Sequence, residues 1–367
     1  MDIPRQVLPT GKLNQIPVPS TWNRGGWIST TCAGRPTADR EPLISRAVER
    51  SNPLCRLFKV DLPLVQAGMI WCSGWRLASA VSNAGGLGII GSGSMYPEVL
   101  REHVRKCKAA TDKPFAVNVP MLYPDIDKHM ATIIEEEVPI VFTSAGNPST
   151  WTRMLKDHGR TVVHVVSSVK FARKAVDAGV DAVVAEGFEA GGHNGREETT
   201  TLVLVPMVRE AIDVPLIAAG GIGTGQAMLA AMVLGADGVQ LGSRFVCSEE
   251  SSAHPAFKQR VVAAGEGETV LTLKELAPVR LIRNPFFQQV QEAYARCATT
   301  EQLKEVLGRA RAKRGMFEGD LDEGELEIGQ VSGQLRDILP AATIVRQVMD
   351  EYHSARKELL DAPRFHA

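Results

Sequence analysis

Between residues 62 and 241 a short apolar, β-branched run alternates eight times with a stretch of helical spacing. The runs fall at 62–65, 87–90, 115–119, 140–143, 161–165, 182–185, 215–218 and 238–241. Helical spacing is read at 75–83, 97–109, 169–178 and 227–234. Three of these helices close on a small residue and a glycine, at Ala84-Gly85, Ala178-Gly179 and Leu234-Gly235. Glycine there supplies the left-handed cap that turns the chain back toward the next strand. Eight strand–helix units are the number that closes a parallel sheet on itself, so the expected fold is α/β, a (β/α)8 TIM barrel. An open doubly wound sheet would need a fingerprint loop after its first strand. Gly86, Gly88 and Gly91 do spell GxGxxG, but they sit in and around the second strand where no such loop belongs, and they read as turn glycines.

The flanks differ from the repeat. Residues 1–54 are rich in Pro, Thr, Arg and Gly and read as an irregular N-terminal arm without the apolar core of a secretory signal. Residues 55–266 are the expected barrel, and 267–367 a helical, loop-rich C-terminal appendage. Within it, 270–307 reads as further helices with a turn at Asn284-Pro285, and 341–360 as an amphipathic terminal helix. The acidic, glycine-rich stretch 315–333 is placed to fold over the barrel mouth as a lid. A net charge of -1 gives no electrostatic reason to expect nucleic acid or an anionic membrane as partner. No apolar run reaches the length of a membrane span, and the expected compartment is the cytoplasm. The six cysteines form no CxxC pair and read as reduced thiols.

Ligands of such barrels bind where the strands end. After the seventh run stand Ala219-Gly220-Gly221, and after the eighth Gly242-Ser243-Arg244. Paired glycines and Gly-Ser expose backbone N–H groups with no side chain in the way of a phosphate. The phosphate could belong to a sugar phosphate or to a flavin. Neither loop has a Lys or Arg before Arg244, and the other strand ends are small and neutral: Ala67, Gly68, Asn118, Ser144 and Ala145. Such a floor suits a flat heterocycle with Asn118 at its edge. His193, in the glycine-rich loop 186–195, is the leading candidate for proton exchange, with His164 second. His103, His129 and His158 read as surface residues and Cys72 as packing. Glu197-Glu198 and the run 320–325 read as solvated charge, and no metal-ligand spacing is present.

At these motifs the chain, from about residue 55 to 352, resembles the nitronate monooxygenase family, formerly 2-nitropropane dioxygenases. That family takes in a flavin-dependent enoyl-acyl-carrier-protein reductase branch. The matching stretches are 66–69, 83–88, 113–118, 186–195, 218–222, 242–245 and 253–255. The resemblance implies FMN, with Gly220, Gly221, Gly242 and Ser243 near its phosphate and Ala67, Gly68, Met69 and Asn118 near its ring. It places Glu186, Gly191 and Gly192 in the flavin-binding set and makes His193 the catalytic histidine. Ala67 and Ser243 depart from the family's usual Gly and Thr, both small changes. The expected reaction is oxidation of an alkyl nitronate by oxygen. The alternative is reduction of an enoyl thioester with NAD(P)H as donor; 189–193 and 329–333 look closer to that branch. A barrel that binds a phosphate ligand without redox turnover is the remaining class. The expected partner is a small molecule, and a homodimer is left open.

Overall fold

The protein is described by a computed structural model over residues 52–365, so nearly all of the expected N-terminal arm lies outside the described residues. Its strands are β1 Leu64–Gln66, β2 Gly88–Gly91, β3 Phe115–Pro120, β4 Ile140–Ser144, β5 Thr161–Val166, β6 Ala182–Glu186, β7 Gly192–His193, β8 Leu216–Ala219 and β9 Gly238–Leu241, followed by β10 Thr269–Thr272 and β11 Val279–Ile282. Eight of them form one parallel sheet in the order β1-β9-β8-β6-β5-β4-β3-β2. A parallel bridge from Val65 to Leu87 brings its two ends together. There Leu87 N–H donates to the Leu64 carbonyl and Gln66 N–H to the Leu87 carbonyl, each at 2.9 Å. Where the two backbones part, the Gln66 side chain continues the ladder by accepting from Ile89 N–H at 3.0 Å. The fold is a (β/α)8 barrel, and each of its strands falls within two residues of a run read from the sequence.

Parallel strands covered on both faces need apolar residues on both. The inward set, Val65, Ile89, Ala116, Phe142, Val163, Val184 and Ile217, fills the barrel. The alternate residues, such as Val117, Val141, Val162 and Val183, pack under the surrounding helices. The first helix, α1 Pro53–Phe58, adds Leu54 and Phe58 to the interior cluster. Asn52 caps it and ties it to the start of β9 through a 2.7 Å bond to the Asp237 carbonyl. The helices around the sheet are α2 Trp75–Asn83, α3 Pro97–Ala110, α4 Ile126–Glu135, α5 Thr152–Asp157, α6 Val169–Asp177, α7 Thr201–Arg209 and α8 Gly225–Val233, then the short α9 Ser243–Val246 and α10 Pro255–Val262. The apparent fingerprint is resolved by packing. A Cβ on Gly88 would stand 1.9 Å from the Ala78 carbonyl oxygen, so this glycine lets α2 lie directly on β2.

The appendage corrects one expectation. The region 270–307 is not helical throughout: β10 and β11 form an antiparallel hairpin, and β11 also pairs with β7. Helices resume only at α11 Pro285–Ala295 and α12 Thr300–Leu307, with Asn284 capping α11. The terminal helix is α13 Ala341–Asp361, packed against α8. Among the described residues no helix is long and apolar enough to cross a membrane.

Candidate active site at the barrel mouth

The carboxyl ends of the strands open into a cavity of about 240 Å³. All twelve residues assigned to the site from the sequence line it: Ala67, Gly68, Met69, Asn118, Glu186, Gly191, Gly192, His193, Gly220, Gly221, Gly242 and Ser243. Asn118 occupies an inward position of β3 above Ala116 and donates to the Gly68 carbonyl at 3.3 Å. A Cβ on Gly68 would come within 2.5 Å of the Asn118 side chain, so the floor here closes only over glycine. His193 lies on β7, exposed, at the edge of the hairpin strand β11, opposite Val279. Pairing with that strand gives the catalytic-loop candidate a fixed backbone instead of a free loop.

His164 is placed elsewhere. It alternates with the inward residues Val163 and Val165 and faces the helix layer, where Nδ1 lies 2.8 Å from the Thr143 hydroxyl. Burial, and secondarily Lys174, push its pKa down to about 4, and it is absent from the cavity wall. His129, expected on the surface, is fully buried on α4, with Nε2 3.0 Å from the Met95 carbonyl and its ring stacked on Tyr123. Cys72 does pack as expected, and burial, followed by Glu327, pushes its thiol up to about 12.

Several wall residues were not among those assigned to the site from the sequence. Met316, Glu327, Ile328, Gly329 and Val331 come from the stretch expected to be a lid. That stretch lines the mouth, and Met316, Leu326 and Ile328 are buried against Phe257, Val261 and Ile282. Gly329 N–H donates to Ser243 Oγ at 2.9 Å, and Gln330 N–H to the Glu189 carbonyl at 2.9 Å. Glu325, expected in solvated charge, is buried; burial and then the Glu327 carboxylate raise its pKa, and burial likewise raises that of Glu327. Glu186, at the end of β6, is pushed up to about 7 by loss of solvation. Among the described residues no Lys or Arg lines the cavity, and His193 is the one basic side chain of the wall. Arg244, beside the glycine loop, is instead paired with Asp337 at 2.6 Å.

The two glycine loops fit a phosphate. Gly220 and Gly221 both hold left-handed backbone, with φ of +94° and +69°, so neither position tolerates a side chain. The N–H groups of Gly221, Ile222 and Ser243 find no acceptor among the described residues, although Ile222 and Ser243 are buried. Such unpartnered N–H groups at a cavity wall, one of them at the start of a helix, are placed to bind an acceptor from outside the chain. Next to them the neutral floor of Ala67, Gly68 and Asn118 leaves room for a flat ring. The residues present therefore suit FMN.

Comparison with known proteins points the same way. A family model described as nitronate monooxygenase matches residues 51–129 and 122–351. An octahydroindene carboxyl-CoA dehydrogenase of Mycobacterium tuberculosis is 30% identical over 338 residues, covering 81% of this chain and 95% of that protein. A probable nitronate monooxygenase of Staphylococcus saprophyticus is 34% identical over 288 residues, covering 66% of this chain and 81% of that protein. The solved structure of FabK from Thermotoga maritima superposes with a TM-score of 0.80 at 42% identity, covering 84% of this chain and 98% of that one.

Proposed function

Because the chain belongs to the nitronate monooxygenase family of oxidoreductases, we propose that it is an FMN-dependent enzyme that reduces a neutral enoyl thioester with NAD(P)H as donor. The observation that carries this reading is the cavity wall, which among the described residues holds three glutamates and no Lys or Arg. A nitronate is an anion, and such a wall offers it one histidine; an enoyl thioester carries no charge at the reacting carbons and needs no cation. The likeness to FabK, an enoyl-acyl-carrier-protein reductase, supports the same choice.

Gly221, Ile222, Gly242 and Ser243 would hold the phosphate through backbone N–H groups, and Ala67, Gly68, Met69 and Asn118 would border the ring. Bound there, FMN would supply hydride-transfer chemistry. Saturating a carbon–carbon double bond takes a hydride at one carbon and a proton at the other. His193, exposed at the mouth, would deliver the proton to the carbon beside the thioester carbonyl. Ile328 and Val331, buried in the wall, would exclude water from the inner end of the cavity.

A second reading, nitronate oxidation by oxygen, is favoured by the Staphylococcus saprophyticus relative. There His193 would hold the anion. Family membership sets aside the barrel without redox turnover. The two readings separate in an anaerobic stopped-flow experiment on the flavin-loaded protein. Bleaching of the flavin by NADH or NADPH, reversed by a crotonyl thioester, is the expected result. Bleaching by propyl nitronate alone, with no response to either nicotinamide, would establish the second reading and end the first.

A further inference from the structure

Thr201 is the first residue of α7, on the outer side of the glycine loop, and its hydroxyl lies 2.9 Å from the Gly220 carbonyl oxygen. A trans peptide is planar, with its C=O and N–H opposed. Pinning the Gly220 carbonyl toward Thr201 therefore turns the Gly221 N–H the other way, toward the cavity, where it finds no protein acceptor. We infer that Thr201 and Glu189 are positioning residues for the phosphate cradle: Thr201 aims the Gly221 amide, and Glu189 fixes Thr201. This rests on the reading of the loop as the FMN phosphate site.

Glu189 acts through contacts that fix Thr201 from two directions. Its carboxylate accepts from Thr201 N–H at 2.9 and 3.1 Å, and the one hydroxyl proton of Thr201 is shared between Glu189 Oε2 and the Gly220 carbonyl, each at 2.9 Å. A carboxylate at the start of a nine-residue helix is stabilised by the free N–H groups there, which offsets its proximity to a phosphate. The same hydroxyl is 3.2 Å from the Ala219 carbonyl, which also accepts from Gly187 N–H at 2.9 Å. The chain has no room to settle otherwise. A Cβ on Gly220 would meet the Gly187 carbonyl at 2.7 Å and the Thr201 hydroxyl at 3.0 Å. On its other side Glu189 gives its carbonyl to Gln330 N–H, while the adjoining Gly329 holds Ser243 Oγ. One residue thus joins the His193 loop, the glycine loop and the Ser243 loop. Neither Glu189 nor Thr201 was singled out by the sequence, because a Thr beginning a helix is ordinary and its target, a carbonyl 19 positions on, is visible only in three dimensions.

The test exploits the difference between FMN and riboflavin, which share the ring but not the phosphate. The full chain is freed of flavin and titrated with each, following flavin fluorescence. Wild type should prefer FMN. Thr201→Val, which keeps the shape and loses the hydroxyl, should weaken FMN about tenfold, the scale of one well-placed hydrogen bond. It should leave riboflavin within about threefold, and Thr201→Ser should restore the preference. A merely structural role would weaken both ligands together. Retention of the wild-type preference for FMN by Thr201→Val overturns the inference. If that variant does not fold, Glu189→Gln is read in the same way, with a reduced preference expected and an unchanged one contrary. A wild type that binds the two flavins equally would overturn the phosphate reading itself, a failure visible before any variant is made.

Discussion

His193 and His164 show what can be read at the scale of a residue. His193 sits in the loop region after β6, on the short β7, while His164 lies within β5, where alternation excludes it from the site: Val163 and Val165 face the barrel, so His164 cannot. The sequence contains that alternation, but a strand apolar on both faces hides which set is inward. His193→Ala should keep FMN and the fold while turnover falls roughly 10²–10⁴-fold, the usual range for a positioned acid. His193→Asn keeps a donor that cannot titrate, so recovery of most activity by Asn would reduce the histidine to a substrate anchor. His164→Gln should slow turnover by less than about threefold, far short of that range; a larger loss at unchanged stability would return it to the site. Glu186 makes a separate prediction about pH. Its carboxyl is pushed up to about 7 in the folded protein, against an ordinary value of about 4.3 in an unfolded chain. Between those values the folded state holds a proton that the unfolded chain has released. The stabilising contribution is thus complete below the unfolded value and lost as pH rises through about 7. His164 has the opposite sign: neutral when folded, its contribution is present above about 6.5 and lost as pH falls through about 4. The melting temperature of the flavin-free protein should therefore decline from pH 5 to 8 less steeply in Glu186→Gln than in wild type, and identical slopes would refute the assignment.

At the scale of elements, the barrel strands were legible and the hairpin was not. Each barrel strand is bounded by a helix with its own apolar spacing, so the alternation of periods marks it. Strands β10 and β11 are four residues each, and β11 is buried at every position, so it shows no period of two. A short apolar run of that kind cannot be told from a turn of buried helix. The consequence is functional, because β11 is what β7, and with it His193, leans on. Glu325 misled for a related reason: it is the last of four acidic residues in the six positions 320–325, yet the residues just after it form part of the cavity wall. The closeness of these elements can be tested through Gly191. A Cβ there would lie 2.4 Å from the Gly329 nitrogen and the Ile328 carbonyl carbon, forcing the His193 loop away from the segment that lines the mouth. Gly191→Ala should cost about 1–3 kcal/mol of stability, as overpacking does, and lower flavin affinity with it. Gly265→Ala, whose Cβ would meet only Glu268 Oε1 at 3.5 Å, should stay within about 0.5 kcal/mol. Equal melting temperatures for the two variants would mean that the mouth segment yields without cost and is a movable lid after all.

For the whole molecule, the question is whether the appendage is a separate body or part of what the flavin stabilises. The cavity draws on the ends of strands from β1 to β9 and also on Met316, Glu327, Ile328, Gly329 and Val331. Of those last residues, Met316 and Ile328 share a buried cluster with α10 and β11, and α13 packs on α8 within the outer layer of the barrel core. Removing the appendage would therefore uncover core, not merely open the site. A ligand that binds only the folded state stabilises it by about 2.7 kcal/mol at a free concentration of 100 times its Kd. For a domain of this size that corresponds to a rise in Tm of roughly 5 °C. Calorimetry of the full chain should show one transition for the described body, moved upward as a unit by FMN. A second transition that stays at fixed temperature as FMN is added would show the appendage melting by itself. In that case the wall formed by 327–331 could not owe its position to the barrel, and the linkage of His193, the glycine loop and Ser243 through Glu189 would not extend to the cooperative unit.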